Sequence, residues 1–375
     1  MRRKSRYIHE LPGWPKLSWN QEGLASTLVS VRHKQGRLLG RMEALGFPLQ
    51  QEAVLQTLTE DVVKSSEIEG EQLDASQVRS SIARHLGIDV GGVQPADRQV
   101  EGVVEMMLDA TRNYEQPLTA DRLFGWQASL FPSGRSGMRM VRVGAWRDES
   151  AGPMQVVSGP VGRERVHFEA PQAIRLEREM KAFLDWFNEG SGYPTLDDVL
   201  KAGLAHFWFV TIHPFDDGNG RIARAIADMA LARSERSSQR FYSMSAQVRQ
   251  ERSDYYEILE RTQKGPLDVT PWMAWFLECL GRAIDGAQTT LAAVLRKARF
   301  WQANREVPIN DRQRLMLNRL LDGFEGHLTT SKWASMTKCS SDTALRDILD
   351  LVESGVLVRN PAAGRSTSYS LADIR

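Results

Sequence analysis

Apolar residues recur every three or four positions along most of the chain, the spacing of helices that bury one face. On that pattern the sequence predicts helices over 21–45, 49–65, 74–86, 96–114, 119–130 and 171–188. Gly87 stops the third of these, and the cluster Gly91, Gly92 and Pro95 marks a loop. The segment 196–212 is an apolar helix, and 219–233 reads as a second one immediately after it. Helices over 255–264 and 271–295 close a central bundle. Trp14, Pro15, Leu17 and Trp19 give residues 1–20 the character of an extended arm packed by its aromatics. Short β-like runs flank a Gly/Pro turn at 158–162, with Val156 and Val157 before it and Val166 and Phe168 after, as in a hairpin.

After Val307 and Pro308 the pattern changes. Helices are predicted over 311–321, 330–337 and 341–353, followed by extended runs at 356–359 and 367–371 around a turn at 360–366. The expected fold class is therefore mainly α, a helical bundle with a β-hairpin plus a small α+β domain. The division is a helical extension over 1–95, a central domain over 96–300 and a small domain over 308–375. No internal repeat or low-complexity tract is present.

Composition narrows the setting. A chain of 375 residues holds two or three domains, and its net charge of +1 exerts no global pull on nucleic acid or membranes. Cys279 and Cys339 lie far apart without a metal-ligand pattern, which argues against a disulfide framework and for a reducing compartment. No apolar run follows the basic Met1-Arg2-Arg3-Lys4, and no stretch reaches ~18 apolar residues. A cytoplasmic setting with no membrane span is expected.

The chemistry concentrates between the two helices at 196–212 and 219–233. There the chain reads His213-Pro214-Phe215-Asp216-Asp217-Gly218-Asn219-Gly220-Arg221-Ile222-Ala223-Arg224. Such a loop ends at a helix N-terminus, whose unpaired N–H groups and partial positive charge favour anions. Gly218 and Gly220 allow a tight turn and close approach of a ligand to the backbone. Asn219 offers an amide to a phosphate oxygen or caps the helix. Arg221 and Arg224, three apart, share one face, and planar guanidinium groups grip phosphate at two points. Asp217 is a hard oxygen ligand of the kind Mg²⁺ takes beside substrate phosphates. His213 accepts a proton near neutral pH.

This stretch matches, at every fixed position, the signature His-x-Phe-x-(Asp/Glu)-Gly-Asn-Gly-Arg-x-x-Arg, and so resembles the Fic family. The resemblance implies a Fic-type helical bundle with a hairpin flap, and transfer of a nucleotide, usually AMP from ATP, to a protein hydroxyl. It implies that His213 is the general base, that Asp217 holds Mg²⁺, and that Gly218, Asn219 and Gly220 form the anion hole. Arg221 and Arg224 then take the terminal phosphates, with Ile222 and Ala223 inside the same ATP-binding turn. Upstream, Ser65-Ser66-Glu67-Ile68-Glu69-Gly70 resembles the family's inhibitory motif, Ser/Thr-x-x-x-Glu-Gly/Asn. By that resemblance Glu69 pairs with Arg224, removes the charge the γ-phosphate needs and skews ATP out of line. The hairpin at 155–168 resembles the flap on which the family aligns a protein substrate by strand addition. Gln250 and Tyr256 fall where the family contacts the nucleotide.

The last 68 residues resemble a winged helix, a module that often sets its third helix in a DNA groove. Here that helix carries Asp342, Asp347, Asp350 and Glu353 against Arg346 alone. A recognition helix needs positive charge, so a module that positions a protein partner or packs on the bundle is favoured over DNA binding, and the resemblance with exposed bundle faces invites a homodimer. His206 reads as a buried, hydrogen-bonded histidine, while His85, His167 and His327 have no constellation around them. Removal of AMP, transfer of another phosphate-containing group, and transcriptional regulation through the small domain are the rival expectations.

Overall fold

The computed structural model of the chain describes residues 7–89, 95–150, 152–160, 162–189, 196–324, 326–361 and 367–372. The expectations at residues 1–4, Gly91, Gly92 and most of the 360–366 turn lie outside the described residues. In chain order the helices begin with α1 (Gln21–Glu43), α2 (Phe47–Ile68), α3 (Ala75–Leu86), α4 (Arg98–Arg112) and α5 (Ala120–Leu130). Two hairpins follow, β1 (Arg135–Ser136) with β2 (Arg139–Met140), and β3 (Gln155–Ser158) with β4 (Arg165–Glu169). Next come α6 (Leu176–Glu189), α7 (Asp198–Ile212), α8 (Asn219–Glu235), α9 (Met244–Gln250), α10 (Arg252–Gln263) and α11 (Thr270–Ala303). The chain closes with α12 (Asp311–Leu321), α13 (Thr330–Thr337), α14 (Ser341–Glu353), β5 (Leu357–Arg359) and β6 (Tyr369–Leu371). The mainly helical class is as the pattern predicted. Among the described residues, no helix is long and apolar enough to cross a membrane.

The chain forms two compact units, the larger built from residues 1–44, 54–82 and 95–287. Its centre is α7, buried along its length because every face is apolar, packed against α8. Asp197 caps α7 by accepting from the Val199 N–H at 2.8 Å, and Thr119 caps α5 in the same manner. Gly102 lets α4 cross α5 closely, since a Cβ there would lie 1.7 Å from the Ser129 carbonyl oxygen. The N-terminal arm packs as expected: Trp14 donates its indole N–H to Glu179 at 2.8 Å, and Leu17 is buried.

The second unit comprises residues 45–53, 83–94 and 288–375. The helices α12, α13 and α14 coincide with the predicted spans, and β5 pairs antiparallel with β6. Phe300, Met316, Trp333, Ile348 and Leu351 form its core. Lys297 bridges Glu52 and Asp322 at 3.0 and 2.9 Å.

Several boundaries differ from the periodicity reading. Helix α2 runs on past Ser65 to Ile68, because Ile68 is itself buried and gives the helix another core contact. Helix α6 starts at Leu176 after a 3₁₀ turn at Ala173–Arg175, since Pro171 leads an extended entry. Helix α11 reaches Ala303, where Phe300 supplies a buried anchor. The β1–β2 hairpin, only two residues per strand, had no legible alternation. Asp347, counted among the surface acids of α14, points inward and accepts from Arg312 at 2.8 and 3.0 Å.

Candidate nucleotide site

Helix α7 ends at His213, which adopts the left-handed conformation (φ 52°, ψ 58°) that side chains other than glycine rarely take. Surrounding bonds hold it there. The His213 N–H donates to Phe209 O at 3.0 Å, and Arg147 donates Nε–H to His213 O at 2.8 Å. Arg147 also gives its backbone N–H to Pro214 O at 2.9 Å, so one residue clamps both carbonyls of the turn. Phe215, fully buried, packs at 5.1 Å on Trp146.

The imidazole is oriented for base chemistry. Nδ1 lies 3.2 Å from Val210 O, and a carbonyl only accepts, so Nδ1 carries the proton. Nε2 is left with its lone pair. Burial pushes the His213 pKa down to about 4, with Arg147 adding to the effect against the pull of the Val210 carbonyl and the Asp217 and Glu69 carboxylates. The ring is neutral at ordinary pH.

Helix α8 starts one turn later. Gly218 holds φ +85°, a conformation glycine takes without strain, and a Cβ there would press at 3.0 Å on the Phe131 ring. Asp217 accepts from the Gly218 N–H through Oδ1 at 2.6 Å, and its side chain is half-buried beside the turn. Asn219 does not reach out to a ligand. Its Oδ1 accepts from Phe215 N–H at 2.9 Å and its Nδ2 donates to Phe215 O at 2.8 Å, so the amide staples the loop shut. Ile222 and Ala223 are wholly buried, and the Ile222 N–H donates to Gly218 O at 3.0 Å.

Both arginines of the cradle are engaged by the segment that ends α2. Arg224, 3% exposed, donates Nη2–H to Glu69 Oε1 at 2.8 Å and to Ser65 O at 2.9 Å, and Nε–H to Ser65 Oγ at 2.9 Å. Burial works against its charge, yet Glu69 together with Tyr255 and Tyr256 more than compensates and holds the guanidinium pKa above the usual arginine value. Gly220 makes this approach possible: a Cβ there would sit 2.3 Å from Glu69 Oε1. Arg221, 2% exposed, donates Nη1–H to Glu71 Oε2 at 2.7 Å and stacks over Phe131 at 5.1 Å. The Glu71 contact had no sequence signal, since nothing local links positions 71 and 221. Gly70, at φ +85°, turns the chain between the two glutamates.

The end of α2 is pinned by other groups. Arg252 donates Nε–H to Ile68 O at 2.9 Å and lies over the Tyr256 ring at 4.9 Å. Asp61 accepts from the Ser245 N–H at 3.1 Å and from the Ser243 hydroxyl. Gln250 is exposed at the last position of α9, between Arg249, which pairs with Glu67 at 3.4 Å, and Arg252. His206 is the hydrogen-bonded core histidine expected, 3.0 Å from the Tyr255 hydroxyl, with burial pushing its pKa down to about 3.

The β3–β4 hairpin forms at the expected place, with a register break between Val156 and Val157. His167 corrects the sequence reading, for it does have a constellation. Its ring nitrogens lie 2.6 Å from Ser158 Oγ and 2.6 Å from Glu260 Oε2, fastening the hairpin to α10. Lys264 and His167 hold the Glu260 carboxyl down at about 2 against the burial that would raise it. Residues so distant in sequence leave no spacing to read.

Residues 117–231 match the Fic/DOC family, and residues 7–88 match a family described only as a domain of unknown function (DUF4172). The chain is 36% identical over 123 residues to a protein adenylyltransferase Fic of Nematostella vectensis, covering 32% of this chain and 27% of that one. It is 36% identical over 107 residues to the Drosophila willistoni protein of the same name, covering 28% and 20%. The chain therefore spans about a quarter of the length of these relatives. The solved Fic family protein from Desulfovibrio desulfuricans G20 superposes with a TM-score of 0.51 at 20% identity, covering 92% of this chain and 96% of that one. A Fic domain containing signaling protein from Bacteroides thetaiotaomicron VPI-5482 gives 0.51 at 20% identity, covering 70% and 97%. The histidine turn and the two arginines lie together at the N-terminal end of α8. The loop from His213 to Arg224 lies inside the segment 117–231 that matches the Fic/DOC family.

Proposed function

We propose that the protein transfers AMP from ATP to a Ser, Thr or Tyr hydroxyl of a target protein and is held inactive by Glu69. One observation carries the reading: Glu69 Oε1 lies 2.8 Å from Arg224 Nη2, at the helix N-terminus that follows a neutral, oriented histidine. The names of the adenylyltransferase relatives support the same activity.

In the reaction, His213 Nε2 takes the proton of the target hydroxyl. The oxygen attacks the α-phosphorus in line, a P–O bond forms, and the bond to the β-phosphate oxygen breaks to release pyrophosphate. The first-turn N–H groups of α8 and the guanidinium groups of Arg221 and Arg224 stabilise the charge. Asp217 suits a divalent ion: one oxygen is fixed by Gly218, and Mg²⁺ pairs one or two carboxylates with substrate phosphates. Mg²⁺ would be held through Asp217 Oδ2 and would neutralise the phosphates when bound. The hairpin at 155–168 presents the exposed edge around Val157 to the target segment, and Gln250 and Tyr256 flank the nucleotide.

The remaining assignments are part of the same proposal. The 308–375 segment is a winged-helix-like module, and the exposed Leu345 and Leu349 on acidic α14 support contact with protein, such as a second copy, over DNA. Two cysteines without a disulfide support a cytoplasmic setting. Transfer of label from ATP by wild type, Glu69→Gly and His213→Ala tests the activity. Strong labelling of a cell extract by the glutamate variant alone is expected; equal labelling by the histidine variant would sink the scheme. A reverse reading, removal of AMP by a water held on Glu69, is favoured by its firmly held carboxylate; loss of AMP release in Glu69→Gly would select it.

A further inference from the structure

The contact between Arg221 and Glu71 is the strongest feature that the proposed activity leaves unused. Glu69 and Glu71 are separated by Gly70, whose φ of +85° reverses the chain at the end of α2. The reversal is closed by the Glu71 N–H donating to Ser66 O at 3.0 Å and the Gly70 N–H to Glu67 O at 3.1 Å. A left-handed glycine between two carboxylates thus matches two arginines three apart on the first turns of α8. Glu69 takes Arg224 at 2.8 Å and Glu71 takes Arg221 at 2.7 Å.

We propose that Glu71 is a second inhibitory carboxylate, and that Glu69-Gly70-Glu71 acts as an internal mimic of two adjacent phosphates. This deepens the proposed function and rests on it. The glutamate is held from two directions, since Gln99 Nε2 donates to Glu71 Oε2 at 3.2 Å while Arg221 Nη1 donates to the same oxygen. Arg221 is 2% exposed, and its Nε has no partner among the described residues. A buried cation with spare donors is built to receive an anion that supplies more acceptors than one carboxylate. A phosphate does so, with three oxygens, and must first displace Glu71.

Two separate latches follow from this geometry. Removing Glu69 frees Arg224 but leaves Arg221 occupied, so that variant is only half released. AMP, which carries a single phosphate at the backbone anion hole, competes with neither latch. ATP competes with both.

The decisive experiment is calorimetric titration of ATP and of AMP, in magnesium buffer, into wild type, Glu71→Gln, Glu69→Gly and the double variant. Glutamine keeps the shape and one hydrogen bond but not the charge. Adding Glu71→Gln to Glu69→Gly is expected to tighten ATP about tenfold while leaving AMP unchanged. The inference falls, with the proposed function intact, if Glu69→Gly tightens ATP and the added substitution changes nothing. It falls equally if AMP tightens by the same factor as ATP, because a general loosening of the site would do that. If none of the four proteins binds ATP, the proposed function and this inference fall together.

Discussion

Arg224 and Glu69 meet at 2.8 Å although 155 positions separate them, and Gly220 leaves the space through which the carboxylate passes. The pair is not isolated, because Ser65 contributes both its hydroxyl and its carbonyl to the same guanidinium. The end of α2 therefore holds the arginine at two levels, by charge from Glu69 and by neutral hydrogen bonds from Ser65.

Ser65→Ala separates those levels. Loss of the hydroxyl leaves Arg224 Nε–H buried without an acceptor, at a cost of about 1–3 kcal/mol. Basal transfer of label from ATP should rise above wild type but stay below Glu69→Gly, and the unfolding midpoint in urea should fall. A Ser65→Ala protein as active as Glu69→Gly would show that the hydroxyl, not the carboxylate, dominates restraint.

Asn219→Ala removes both bonds that close the loop onto Phe215. The base and the cradle should then lose their fixed spacing. In a Glu69→Gly background, kcat should fall on the order of 10²-fold, with little change in the affinity for ATP. Steady-state kinetics at varied ATP distinguishes this from a direct phosphate contact, which would appear in ATP affinity.

The pH dependence follows from two depressed histidines. In the folded chain His206 and His213 take up protons only near pH 3 and 4, whereas unfolded histidine does so near ~6.5. Between those limits the unfolded state binds more protons, so stability rises with pH and falls on acidification below ~6.5. For His206 the loss at pH 5 should be about 2 kcal/mol, measurable as a lower melting temperature at pH 5 than at pH 7. His206→Gln should narrow that difference. Activity of Glu69→Gly should have its acid limb no higher than about pH 4, since the carboxylate that raises the His213 pKa is gone.

Gly102→Ala tests the scaffold rather than the site. A Cβ placed 1.7 Å from the Ser129 carbonyl oxygen forces α4 and α5 apart. A destabilisation of about 1–3 kcal/mol is expected in urea unfolding. Wild-type stability in that variant would mean the two helices separate freely.

What the chain determined by itself is local. Asn310, Thr329 and Ser340 each cap the helix that follows by accepting an N–H three residues on, and α12, α13 and α14 begin where the sequence pattern places them. The start of α8 after Gly218 was legible in the same way, from a glycine turn followed by helical periodicity. The residue types from His213 to Arg224 carry their chemical character, a base, a carboxylate and two guanidinium groups around a glycine turn, in the sequence itself.

Tertiary structure decided the pairings. That Glu71 lands on Arg221, that Arg147 clamps the carbonyls of His213 and Pro214, and that His167 finds Glu260 depend on which turn of one element faces which turn of another. It also turned the Asn219 amide inward and sent Asp347 to Arg312. A side chain's neighbours within one helical turn follow from the period of the helix. Its neighbours a hundred residues away follow only from how the buried faces of α2, α7 and α8 pack, because that packing sets the distances between charges.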